Sequence, residues 1–204
     1  TGTGIATAIL AASLVTLVAG CGGGGGNALS PTTTTSAAPS DPLPAYGAPK
    51  VTHPLNTTKY QQNPCSVVTA AQLQALGGYV TGKASTSSIG PACLWTNTNT
   101  VSSLQVGYYN HGAYAIGLTG IYMIKDKQYS YFQPTQIADY PAVVTDRAGN
   151  HGDKGTCIVY VGVEDDLLVA FQVNLNEDAP NYTTACSVAQ QFANDGMQTM
   201  KSGI

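Results

Sequence analysis

Residues 157–163 and 167–175, parted only by Glu164-Asp165-Asp166, constrain the fold more than any other stretch of this chain. In the second segment Leu167, Val169, Phe171, Val173 and Leu175 recur at every second position, the spacing that puts them on one face of a strand. The two segments read as a β-hairpin, which cannot bury such a face by itself. Residues 182–201 supply the cover. Ala185, Val188, Ala189, Phe192, Ala193 and Met200 fall along one side of a helix, with Gln191, Asn194, Gln198 and Lys201 turned away. An antiparallel sheet with this C-terminal helix across it is an α+β fold.

The upstream half adds strands and one short helix. Thr69 and Gln72 have the spacing of a capping box, so a helix is expected over residues 70–76, burying Leu73 and Leu76 and stopping at Gly77-Gly78. A strand is expected over 92–96, carrying Cys93 and Trp95. Another over 102–109 alternates Leu104, Val106 and Tyr108 with Ser103, Gln105 and Gly107. In residues 111–133, Tyr114, Leu118, Ile121 and Tyr122 would share a helical face. Gly112, Gly117 and Gly120 weaken it, so a broken helix followed by an extended segment is expected. A strand over 137–145, passing through Tyr140-Pro141, and a polar turn over 147–154 complete the reading.

The front of the chain is of another kind. An apolar run over residues 5–19 leads into Ala19-Gly20-Cys21 and then five glycines, the layout of a bacterial lipoprotein signal. The run is shorter than the ~20 residues of a spanning helix. It therefore reads as a signal peptide (1–20), with the Cys21 thiol as acceptor of a lipid anchor. No Met opens the chain and no Lys or Arg precedes the run, so the start is expected to be truncated. Residues 21–62, rich in Gly, Pro and Thr, have too few apolar groups to offset backbone ordering at ~1–2 kcal/mol per residue. They are expected to be a flexible tether, and residues 63–204 the globular envelope domain.

Of five cysteines, Cys21 accounts for the odd one. Cys65, Cys93, Cys157 and Cys186 remain in a chain exported to an oxidising space, so two disulfides are expected; the sequence leaves all three pairings open. There is no C-x-x-C and no histidine at ligand spacing, so neither a metal nor a cofactor is expected. A net charge of −3, with scattered basic residues, argues against nucleic acid as a partner.

Nothing names a reaction. His53 lies in the tether, His151 in a Gly-Asn-His-Gly-Asp loop, and His111 has no G-x-S-x-G nucleophile to serve. No catalytic residue is assigned and no enzyme is expected. Glu164-Asp165-Asp166 reads as a hairpin tip made soluble by charge. The chain has twelve tyrosines, and Tyr108, Tyr109, Tyr114, Tyr122, Tyr129 and Tyr131 concentrate in one stretch. Phenols suit a binding surface, although they also complete a core short of phenylalanine.

The series Asn63-Pro64-Cys65-Ser66-x-x-Thr69-Ala70-x-x-Leu73, Cys93-Leu94-Trp95, Pro141-Ala142-Val143, a strand opened by Cys157 and a last helix carrying Cys186, behind a lipobox, resembles a family of actinobacterial lipoproteins known only as a domain of unknown function. The resemblance covers about residues 60–202. It implies an exported, membrane-tethered α+β domain, associated loosely with PsbP-like sandwiches, and carries no catalytic residues. It also points to the pairing Cys65–Cys93 and Cys157–Cys186. Local geometry favours the same pairing, since each bond would join a helix, or the segment before one, to a nearby strand.

The chain is thus expected to be a lipid-anchored protein on the outer face of the cytoplasmic membrane, binding an envelope protein or a glycan of the cell wall. The alternative is a carrier of a lipid or other apolar ligand, in a cavity between the sheet and the helix that covers it.

Overall fold

The structure, a computed structural model, describes residues 42–203. The signal peptide (1–20), Cys21 and residues 21–41 of the expected tether lie outside the described residues. In chain order the elements are α1 (Thr58–Gln62), α2 (Ala70–Ala75), β1 (Lys83–Thr86), β2 (Pro91–Asn97), β3 (Ser102–Tyr109), α3 (Leu118–Met123), α4 (Lys125–Gln128), β4 (Tyr131–Ile137), β5 (Tyr140–Asp146), β6 (Thr156–Gly162), β7 (Leu168–Asn174) and α5 (Ala185–Ser202). The strands form one seven-stranded sheet in the order β1-β2-β3-β7-β6-β5-β4, antiparallel throughout. With α5 packed across it, the fold is α+β.

Local chemistry sets the element ends. The capping box at α2 is formed: Thr69 Oγ1 accepts from the Gln72 N–H at 3.3 Å, and Gln72 Oε1 accepts from the Thr69 N–H at 2.7 Å. Helix α5 stops at Gly203, whose φ of 69° a residue with a Cβ adopts only at a cost. Its apolar stripe, including Ala185, Val188, Ala189, Phe192, Ala193, Met197 and Met200, is buried against the sheet. Phe192 meets Phe171 and Trp95 edge-on, at centroid distances of 5.2 and 5.9 Å. Gly196 lets the helix come close: a Cβ there would lie 2.4 Å from Phe171 Cε1.

Two disulfides staple this layer. Cys65 is bonded to Cys93, and Cys157 to Cys186, at sequence separations of 28 and 29. The first ties the turn before α2 to β2; the second ties the first turn of α5 to β6. In the chain-entropy picture, each loop restricts the unfolded chain by about 3.5 kcal/mol.

Three expectations need correction. The expected flexible tether reaches to residue 62, but its later part is bound to the domain. Ala45 N–H donates to Thr119 Oγ1 at 2.9 Å, Val51 N–H to Asp165 Oδ1 at 2.8 Å and Leu55 N–H to the Val163 carbonyl at 3.0 Å. Val51, Thr57 and Tyr60 are buried, and α1 forms inside the supposed linker. Prolines in this segment do not prevent it from lying along the domain as an extended strap, because its N–H groups find partners on other elements. The same bonds change the reading of the Glu164-Asp165-Asp166 tip: Asp165 is an anchor point as well as a soluble turn.

The expected strand over 137–145 is in fact the end of β4, a two-residue turn and β5. Ala138 and Asp139 both have positive φ, 50° and 73°, as a type I′ hairpin requires. Neither is the glycine that would have announced the turn. Lys201 of α5 holds it, donating to the Ala138 carbonyl at 3.0 Å and to Asp139 Oδ2 at 2.9 Å. The third correction is an addition: β1, four exposed residues at the sheet edge, carries no hydrophobic signal and was not anticipated.

Candidate functional site

The strand order leaves β3 and β4 four inter-strand spacings apart, about 19 Å. The chain must cross that distance between residues 110 and 130, and it does so on the face opposite α5. The crossing is made of short pieces, a single turn over Gly112–Tyr114 followed by α3 and α4, which matches the expected broken helix. Leu118 and Ile121 pack on Val143, Tyr160, Leu168 and Ala170, forming a second apolar cluster. β6 and β7 are therefore buried on both sides, which is why their sequences are nearly continuous apolar runs.

Two glycines pin this roof. Gly117, at φ 55°, passes so close to the β6–β7 turn that a Cβ would stand 2.4 Å from the Asp165 carbonyl oxygen. Gly162 takes the Leu118 side chain against its own backbone, where a Cβ would be 2.9 Å from Leu118 Cδ1. Along the rest of the crossing, roof and sheet are not in full contact. A cavity of ≈ 630 Å³ lies between them. Ile116, Ile121, Met123 and Ile124 line it from the roof; Tyr109, Ile158, Tyr160, Leu168 and Gln172 line it from the sheet.

Its polar groups gather at one end. Tyr109 and Tyr160 meet edge-on at 6.0 Å, and the Tyr129 hydroxyl donates to the Tyr160 hydroxyl at 3.4 Å. Arg147, directly after β5, sets its guanidinium carbon 5.3 Å from the centre of the Tyr129 ring. Burial, and then the neighbouring Tyr109 and Tyr129, raise the Tyr160 phenol well above its ordinary value, so it stays protonated. Tyr109 is raised as well, first by burial and then by Tyr129. Burial by itself would lower Arg147, but its interactions with Tyr129 and Tyr160 outweigh that and hold the cation more firmly. The end of the cavity therefore presents neutral phenols, one amide and one positive charge.

The six tyrosines expected to form a binding surface are divided between the two faces. Tyr109 and Tyr114 line the cavity, Tyr129 stands at its polar end, and Tyr122 packs edge-on against Phe132 at 5.2 Å. Tyr108, the neighbour of Tyr109 in β3, points the opposite way and is fully buried beneath α5, its hydroxyl 3.8 Å from Met200 Sδ. Tyr131 stacks on His151 with ring centres 4.0 Å apart and packs against the α5-side core. Period-two alternation separates what sequence proximity grouped. They do not make one surface.

The cavity is also not where a carrier was expected to have one. The interface between the sheet and α5 is closed, with Phe171, Phe192, Ala193 and Met197 at zero exposure. Open space lies on the other face, under the crossover. His111 and His151 are both exposed, and neither lines the cavity. Arg147, Tyr160 and Gln172 were not foreseen as site residues. The one signal for Tyr160 was its place in an apolar run too continuous for a strand with a wet face.

No group of three or more metal-ligating side chains occurs among the described residues, and no helix among them is long and apolar enough to cross a membrane. No curated protein and no solved structure matches the chain. Residues 16–199, however, match the family described as "Protein of unknown function (DUF3558)", and the chain belongs to that family.

Proposed function

We propose that this protein is a lipid-anchored carrier of the cell envelope, holding an apolar ligand in the cavity under the crossover. The cavity carries the reading. Its volume falls in the ~300–1,000 Å³ range of small-molecule sites, and its walls are mostly isoleucine, leucine, methionine and tyrosine. Among the described residues its lining includes no carboxylate, histidine, serine or cysteine, which favours binding over covalent chemistry. An anchor on Cys21, at the outer face of the cytoplasmic membrane, would place such a carrier next to a source of apolar ligands. Binding of an envelope protein or glycan has less support, since the tyrosines that suggested it are split between two faces.

Native mass spectrometry of the full chain purified from its own cells tests this. The expected spectrum shows a bound apolar species that denaturation releases. A spectrum from which denaturation releases no bound species, together with failure to take up a fluorescent fatty-acid probe, overturns the carrier reading. The anchor is tested separately: Cys21→Ser should move the protein out of the membrane fraction, and unchanged membrane association would remove the anchor from the proposal.

A further inference from the structure

We propose that the ligand is a long-chain carboxylate, its head group paired with Arg147 and its chain lying along the isoleucines of the roof. The inference rests on the carrier reading and adds the chemistry of the ligand's polar end.

Arg147 carries the assignment. Among the described residues it forms no salt bridge; the ion pair present there, Lys201–Asp139, belongs to the β4–β5 turn. The adjacent Asp146 is occupied elsewhere. Its carboxylate accepts from the N–H groups of Ala148, Gly149 and Gly152 and from the Thr156 hydroxyl, at 2.9–3.2 Å. The groups around the guanidinium are instead the Tyr129 ring and the Tyr129 and Tyr160 hydroxyls, none of them a carboxylate. A cation at the edge of an apolar cavity thus lacks a counter-charge of its own. Its planar fork of donors matches the two oxygens of a carboxylate.

The remaining lining narrows the choice. Arg147 is the one cation among the cavity residues, so the site balances a single negative charge, whereas a phosphate monoester brings nearly two. Tyr109 and Tyr160 hydroxyls and the Gln172 amide offer further hydrogen bonds at that end. The roof residues Ile116, Ile121 and Ile124, with Ile89 beyond them, offer a chain nothing but contact. An apolar tail with one monoanionic head fits both ends.

Binding of palmitic acid and of cetyl alcohol, measured on the full chain by displacement of a fluorescent probe, separates the head-group assignment from the carrier reading. The acid is expected to bind at least about tenfold more tightly than the alcohol. Arg147→Gln should erase that advantage, so that acid and alcohol bind alike, and a far-ultraviolet circular dichroism spectrum matching the wild type's shows that the variant is folded. Arg147→Lys should restore part of it. If acid and alcohol bind equally and Arg147→Gln alters neither, the carboxylate assignment is wrong although the carrier reading stands. If neither binds, the carrier reading fails and the assignment with it. Preference for a lysophosphatidic acid over palmitic acid would also overturn the single-charge assignment.

Discussion

The two faces of the sheet are covered by opposite means. On one side lies a single 18-residue helix with a continuous apolar stripe, stapled by Cys157–Cys186 and strapped at its far end by Lys201. On the other lie helices of six and four residues, joined without regularity and anchored at Gly117 and Leu118. A long amphipathic helix can settle its ridges against a sheet along its whole length, so the first interface closes. Short helices are barely stable alone and are held by a few fixed points. Between those points the cover lifts, and the lifted stretch is the cavity. In this molecule, open space results from a connection that topology obliges to cross three strands with residues ill suited to one helix.

The largest expected difference between the faces comes from removing bulk. Phe192→Ala would empty the centre of the closed face, where the ring contacts Phe171 and Trp95, and should cost about 3–5 kcal/mol in denaturant unfolding. Ile124→Ala, on a half-buried roof residue already facing open space, should cost under about 1 kcal/mol. It should nevertheless weaken ligand binding. Equal costs at the two positions would mean that the roof is as tightly packed as the helix, and the contrast would be lost.

Adding one methyl group gives a smaller and subtler contrast. Gly196→Ala on α5 places a Cβ 2.4 Å from Phe171 Cε1, inside a ring pair with no exposure. Overpacking of ~1–3 kcal/mol should outweigh the ~1 kcal/mol gained in helix propensity, leaving a net loss. Gly120→Ala in α3 meets only the Ile116 side chain, Cδ1 at 3.2 Å and Cγ1 at 3.3 Å, and that side chain borders the cavity. It can give way by a few tenths of an ångström, so the variant should be neutral or stabilised by up to about 1 kcal/mol. A loss at Gly120 as large as at Gly196 would show that the roof has no slack.

The closed face was legible in the sequence, because each of its signals is local. The capping box of α2, the alternation of β3, the hairpin β6–β7 and the stripe of α5 all lie within contiguous windows, and each formed as expected. The disulfides belong to the same layer and link neighbours in it. The other face depends on facts that no window contains. Which strands lie between β3 and β4, and therefore where residues 110–130 must run, follows from sheet order. Arg147 meets Tyr129 and Tyr160 only because β5 lies between β4 and β6. The turn at Ala138-Asp139 was missed for a different reason. Its positive φ values are imposed by pairing and by Lys201 rather than by residues that prefer them. The strap over 45–62 was hidden because proline-rich composition reports poor intrinsic structure, and says nothing of a partner waiting for its N–H groups.

The smallest expected effect lies where the strap, the roof and the sheet meet. Glu164, in the β6–β7 turn, has its carboxyl held above the usual range, first by burial and second by the neighbouring charge of Asp166. Gly117 lies against the backbone of this same turn, and the Asp165 side chain takes the Val51 N–H, so the turn cannot relax outward to rehydrate the carboxylate without loosening both. A carboxyl with a raised folded-state pKa binds its proton more tightly in the native state than in the unfolded chain. Stability is therefore gained as pH falls through the raised value toward the ordinary one near 4.5, and is lost again as pH rises through that window. Glu164→Gln is uncharged throughout and should remove this dependence. At neutral pH the variant should equal or slightly exceed the wild type, by under about 0.5 kcal/mol given the site's solvent screening. The two curves of unfolding midpoint against pH should converge on acidification. Divergence instead, with the wild type losing stability relative to the variant as pH falls, would mean that the Glu164 carboxylate is stabilised by its surroundings. The turn would then be an open, solvated tip rather than the clamp that holds strap and roof to the sheet.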